Sequence, residues 1–328
     1  MESSPPADRT DSITDRTRLD LSVGGQALVE GVMIRSPRSI AIALRTPRGI
    51  AVETRDYVNL VARTRWLSLP VLRGVVSFFE MLGIGLNALT YSANVATSDG
   101  CDTPVKDRIS PAEALLFLIS FGLGVGLFVF LPMALATLAG LTNRPVAYNL
   151  FAGTVRILVF LSYLWAIGKI ADVKRVFEYH GAEHKAVAAF ESGLDSELTA
   201  QTARGFPRFH PRCGTSFVFL VVAVAIAFYA ITDSLYALYA GNAPDLETRF
   251  LLHLACLPVV AGLGYEVLKA TGKSRNSRRA RYISKPGLLL QRLTTREPND
   301  DQLSVAIAAV RAAVGLPQET GGPVSCAV

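Results

Sequence analysis

Four long apolar stretches constrain this chain more than any other feature: Ser110 to Ala139, Tyr148 to Ile170, Phe217 to Tyr239 and Phe250 to Leu268. Each is close to the roughly 20 residues that an α-helix needs to cross a hydrocarbon core of about 30 Å, and the fourth is the shortest. Hydrophobic residues make up 50% of the 328 and the mean hydropathy is +0.34, too apolar for an ordinary soluble domain. The expected class is an α-helical integral membrane protein with about four transmembrane helices. Ser110-Pro111-Ala112-Glu113 offers the first span an N-cap, a first-turn proline and a capping-box Glu, and Pro132 predicts a kink inside it.

Charge sets the expected orientation. A net charge of +6 and a pI near 9.2 would point to nucleic acid in a soluble protein. Here the distribution points elsewhere. Basic residues crowd Arg35 to Arg73, the loop between the second and third spans, and the tail, whereas the loops Thr142 to Ala147 and Gly241 to Thr248 contain only Arg144. By the positive-inside rule both termini and the middle loop are cytoplasmic, in a multi-pass protein of the inner (plasma) membrane, and nucleic acid is not an expected partner. Membrane lipids are. The basic run from Lys269 to Lys285 suits anionic headgroups, or is ordinary topology charge. Cys101, Cys213, Cys256 and Cys326 are scattered and imply no disulfide framework.

The remaining segments divide by composition. Residues 1–20 are polar and expected to be disordered, without the apolar core of a signal peptide. Residues 21–69 read as a small cytosolic β-rich segment. In it, glycines punctuate Gly24 to Met33 and leave Gln26 and Glu30 as the polar side chains, and Ile40, Ile42, Leu44, Ile50 and Val52 flank a turn at Thr46-Pro47-Arg48-Gly49. Residues 70–97 carry Arg73, Ser77, Glu80, Asn87, Tyr91 and Asn94 at helical spacing, an amphipathic helix lying on the membrane or packed against the spans, in which Arg73 and Glu80 could pair. The membrane domain covers 110–270, including a loop at 171–216. The tail, 271–328, is expected to end in a helix entered through Asn299 or Asp300, whose stripe of Leu303, Ile307, Val310 and Val314 docks on the cytosolic portion, giving that portion an α+β character.

The chemistry concentrates in Glu178-Tyr179-His180-Gly181-Ala182-Glu183-His184-Lys185, which holds two of the four histidines. On a helix His180 and His184 share one face a turn apart, with Glu183 beside them. H-x-x-E-H is the inverzincin order, in which the histidines bind zinc and the Glu is general base. A solvated helix face with two histidines is the plainer alternative. His210 and Cys213 lie on the same loop just before the third span and complete a set of imidazole and thiolate donors. Glu266 sits at the inner end of the fourth span, where a carboxylate is a functional candidate by default. His253, about 20 Å further along that helix, is expected to be structural, and Glu191, about 10 Å from His184 along the helix axis, is a candidate to line a cavity and not to ligate. Glu178, Lys185, Glu30 and Gln26 are further candidates.

The runs G-G-Q-A-L-V-E-G-V-M at Gly24 to Met33, E-Y-H-G-A-E-H-K at Glu178 to Lys185, H-P-R-C-G-T-S-F at His210 to Phe217, A-G-L-G-Y-E at Ala261 to Glu266, and P-G-L-L-L-Q-R-L-T-T-R-E-P at Pro286 to Pro298 resemble the signatures of the YqhQ-like family of bacterial membrane proteins. The resemblance implies a metal-dependent membrane enzyme and points to His180, Glu183, His184, His210, Cys213 and Glu266, without naming a substrate. Three functions are then open. The first is a hydrolase of peptide or lipid-linked substrates at the cytoplasmic membrane face, with a divalent metal, expected to be zinc, on His180, His184 and either His210 or Glu266, and with Glu183 as base. The second is a closed structural zinc site of His180, His184, His210 and Cys213. The third is a transporter, which would need ionisable or broken-helix features at the bilayer midplane; the sequence offers none.

Overall fold

The computed structural model describes residues 23–97, 111–194, 197–210, 213–273 and 278–318. The expectations for the first 20 residues and for the Ser110 cap lie outside these, as do the side chains of most of the basic run after Lys269.

The N-terminal segment forms a four-stranded antiparallel meander: β1 (Gly24–Leu28), β2 (Gly31–Arg35), β3 (Ser39–Thr46) and β4 (Gly49–Asp56), in that spatial order. The expected hairpin is β3–β4, paired from Ser39↔Asp56 to Thr46↔Gly49. Gly24 to Met33 is itself part of the sheet, β1 turning at Val29-Glu30 into β2. Side chains alternate across the pleat. Val32, Ile34, Ala41 and Ala43 face one core, while Leu28, Met33, Ile42 and Leu44 face another.

Helices cover both faces. After a short helix at Leu60–Arg63 and a 3₁₀ turn at Arg65–Ser68, α1 (Leu72–Thr97) packs Ala88, Tyr91 and Val95 on the Leu28/Ile42 face. The opposite face receives α5 (Ala171–Glu191), the short α6 (Ala200–Arg204) and α10 (Asp300–Val314). On α10 the predicted stripe is the buried one: Leu303, Ile307 and Val310 are in the core and Val314 packs against it. Asn299 caps α10, its Oδ1 accepting from the Gln302 N–H while Gln302 Oε1 accepts from the Asn299 N–H, and Gly315 closes the helix at φ 74°.

The apolar stretches are α2 (Pro111–Val125) continuing through a π-helical turn (Gly126–Phe130) into α3 (Leu131–Leu138), then α4 (Pro145–Ile167), α7 (Gly214–Ala240) and α8 (Leu246–Lys273). The wide turn, in which the Leu131 N–H reaches the Gly126 carbonyl, sits one residue before Pro132 and relieves the ring's clash with the preceding turn. α9 (Arg278–Thr294) follows and packs on α7. Among the described residues five helices, not four, are long and apolar enough to cross a membrane: Leu72–Ala96 joins Leu115–Leu138, Pro145–Ile167, Val218–Ala240 and Leu246–Lys269. α1 and α8 touch backbone to backbone, since a Cβ on Gly74 would lie 2.7 Å from the Gly262 carbonyl oxygen.

One network inside the apolar helices was invisible in the sequence. Asp233 of α7 accepts from Asn149 Nδ2 at 2.7 Å and Arg249 Nε at 2.8 Å on Oδ2, and its Oδ1 lies 3.0 Å from His253 Nε2. All four side chains are buried. The Arg249 guanidinium also stacks on Tyr148 at 3.8 Å, and the His253 ring lies parallel to Tyr229 at 3.9 Å. His253 is thus structural, as expected, but ionisable groups are not confined to the motif end of the helices. Asp233 lies about 10 Å from the C-terminal end of α7, the end farther from the motif.

Candidate metal centre

Helix α5 is buried almost all round from Tyr179 to Phe190, which is unusual for a stretch with an acid, two histidines and a lysine. The fold makes this possible by bringing backbone to the polar groups. Gly181 lets the segment after α9 approach so closely that a Cβ there would stand 2.0 Å from the Arg296 carbonyl oxygen. That approach places the Thr294 carbonyl 2.8 Å from His180 Nδ1. His184 Nδ1 lies 2.6 Å from the Arg208 carbonyl. A carbonyl only accepts, so each Nδ1 is the donor and Nε2 is the ring position left to meet a ligand. Outer partners of this kind fix metal-binding imidazoles.

One ring nitrogen of each histidine and Cys213 Sγ lie within 4.8 Å of one another, with His180 Nε2 to Sγ at 3.2 Å. In a tetrahedral zinc site with N and S ligands such donors are about 3.3–3.6 Å apart, from bond lengths of about 2.0–2.3 Å. The residues therefore fit a divalent metal after a small contraction. A second observation points the same way: His184 Nε2 is buried and has no hydrogen-bond partner among the described residues. An orphaned buried lone pair is costly, and a cation shared with His180 and Cys213 would satisfy it.

Glu183 flanks this group, its Oε2 3.7 Å from His184 Nε2. Burial pushes its carboxyl up to about 7, opposed by charge on His180, and burial likewise holds the His184 imidazolium well below the ordinary range. Edge strand β1 passes beside it without a side chain: a Cβ on Gly25 would be 2.7 Å from Glu183 Cγ and Oε1.

The other candidates are placed as follows. The His210 ring is 5.8 Å from that of His184, with Nε2 3.5 Å from Glu191 Oε2. Glu191 therefore reaches a histidine of the cluster and not the donor group. The His210 main chain is clamped by the buried Gln291, which donates to the His210 carbonyl and accepts from its N–H, both at 2.8 Å. Glu266 is bound to Arg73, with Arg73 Nε at 2.6 Å, and accepts from the Val71 N–H at 3.3 Å. The expected Arg73–Glu80 pair does not form: Arg73 takes Glu266, and Glu80 accepts from the Leu60 N–H at 2.9 Å. Among the described residues the donor group is His180, His184 and Cys213, and Glu266 is not in it. Glu178 accepts from Gln302, Lys185 donates to the Arg204 carbonyl and pairs with Glu297, and Glu30 pairs with Arg175 and accepts from the Tyr179 hydroxyl. These three brace α5. Gln26 Nε2 lies 3.4 Å from the Gly85 carbonyl, tying β1 to α1.

A helical fold with five apolar, membrane-length helices and a two-histidine, one-cysteine donor group beside a buried carboxyl defines the class. The comparisons then place the chain: residues 69–316 match the family described as "Protein of unknown function (DUF1385)", and the chain belongs to that family. It is similar to a Bacillus subtilis (strain 168) protein named "Uncharacterized protein YqhQ", 29% identical over 307 residues that cover 87% of this chain and 89% of the relative. No solved structure matches.

Proposed function

We propose that the chain is a metal-dependent hydrolase working at the cytoplasmic surface of the plasma membrane, in which His180, His184 and Cys213 would hold zinc beside Glu183. The observation that supports it best is the buried, unpartnered Nε2 of His184 turned toward two other donors, with a carboxylate alongside. A divalent ion held there supplies Lewis acidity to the scissile group and to water. The protein does the rest. The Thr294 and Arg208 carbonyls fix both imidazoles in one tautomer. Glu183 takes the proton from attacking water, and the core around α5 limits solvent.

Topology supports the setting. The sheet and α5 share one core, so they lie on the same side of any bilayer. Between them the chain runs through α1, α2–α3 and α4; three crossings would separate them, while two join them. On this reading α1 lies along the membrane surface, with Phe79, Leu82, Leu86 and Leu89 exposed on one flank. The spans are then α2–α3, α4, α7 and α8, with the basic segments inside.

A closed structural site is the second reading, favoured by the presence of Cys213 in the donor group and by His210 nearby. Glu183→Gln separates the two. In a hydrolase the variant keeps its metal while function falls by roughly 10² to 10⁴, the usual weight of a general base. Complementation of a strain lacking the protein reads this out before any substrate is known. Full complementation by stably expressed Glu183→Gln, beside failure of His184→Ala, would leave the structural site standing.

A further inference from the structure

A cavity of about 440 Å³ lies between the sheet edge, α1 and α8, and two of its lining residues adjoin the donor group. Gly25 is one, the residue whose missing Cβ makes room for Glu183; Gly214, next to Cys213, is the other. The volume falls within the roughly 300–1,000 Å³ of small-ligand sites. The lining is mainly apolar: Met33 of β2, Phe78, Met81 and Leu82 of α1, and Tyr265 and Leu268 of α8. Its polar side chains are Gln26, Asn59, Ser77 and Arg35, of which Arg35 is the charged one. Phe78 and Leu82 are themselves partly exposed, so the cavity opens on the apolar flank of α1.

We propose that this cavity seats the hydrocarbon chain of an anionic single-chain amphiphile, entering from the lipid beside α1, its charged end met by Arg35 and its polar linkage carried past Gly24 and Gly25 toward Glu183. The proposal names the substrate class of the hydrolase reading and rests on that reading only for the chemistry; the seat itself is independent of the metal. Two features favour this occupant over a peptide. The mouth opens on a flank whose neighbours Phe79, Leu86 and Leu89 are exposed and apolar, a surface suited to lipid rather than water. The polar residues include a single cation, which suits one anionic group at the end of an otherwise apolar body. The paired glycines also have a use here: a Cβ on Gly24 would meet nothing within 4 Å, so the strand leaves open space where a linkage must pass.

The test uses the full-length protein in phosphatidylcholine vesicles carrying a trace of lysophosphatidate with a diazirine at the chain end, cross-linked by light and mapped by peptide mass spectrometry. Cross-links are expected in the β1–β2 segment, in α1 around Met81 and at Leu268. Met81→Trp should lower them at least tenfold by filling the cavity. Gly24→Leu, which enters open space, should do the same if the tryptophan variant folds poorly. Arg35→Gln should lower labelling by lysophosphatidate more than labelling by the matching lysophosphatidylcholine. His184→Ala should lose metal and keep the cross-links. Cross-links confined to the outer surfaces of α2, α4 and α7, or undiminished in both filled variants, would overturn the seat while leaving the metal reading intact. Cavity cross-links in a wild-type protein without metal would keep the seat and remove the hydrolase.

Discussion

At Gly181 the donor group depends on a residue that holds nothing. Its missing Cβ lets the Arg296 carbonyl approach, and that packing carries the Thr294 carbonyl to His180. Gly181→Ala is therefore expected to cost about 1–3 kcal/mol through overpacking, since backbone and not a flexible side-chain tip is in the way. It should also weaken metal affinity about 10- to 100-fold by disturbing the outer partner of His180. Thermal unfolding and chelator competition on the purified protein check the two effects separately. The histidine pair was legible because a four-residue spacing on a helix fixes a shared face. The carbonyls that set its tautomers were not, because Thr294 is 114 residues away in the chain and Arg208 is 24. Glu266 shows the converse: its type and depth suggested a ligand, but only the fold reveals that Arg73, 193 residues earlier, takes its carboxylate.

The helices α4, α7 and α8 are joined by the buried cluster of Asn149, Asp233, Arg249 and His253. Removing one partner of a buried pair strands the other charge, at a cost of about 3–5 kcal/mol. Asp233→Ala should thus sharply lower the unfolding temperature in detergent, and the Asp233→Ala, Arg249→Ala double variant should cost less than the two single changes added. Strict additivity would mean that the pair is not coupled. This cluster was not legible in the sequence because its members lie on three helices up to 104 residues apart, and nothing local records that they meet. α1 posed a related ambiguity. Its polar positions recur at helical spacing, yet its length and composition also suit a span, and neither property separates the two.

For the whole molecule, the shared core of sheet, α5 and α10 ties together segments that the apolar helices separate in sequence. Strand pairing and helix stripes were readable segment by segment; which segments meet was not, because nothing local records a contact across the intervening apolar helices. The proposed topology makes a definite prediction. In intact spheroplasts an impermeant maleimide should label a cysteine introduced at Arg144, whereas cysteines at Arg48 and Thr97 should react only after permeabilisation. Labelling at position 97 from outside would make α1 a fifth crossing and break the parity that joins the sheet to α5.

The central claim is that His180, His184 and Cys213 hold a divalent metal. The metal content of the full-length protein, purified in detergent without added metal, tests it most directly, with wild type beside His184→Ala and Glu183→Gln. The account predicts about one zinc per chain in wild type and Glu183→Gln and little in His184→Ala. A wild-type protein without stoichiometric metal, or a His184→Ala variant that keeps as much as wild type, would contradict it.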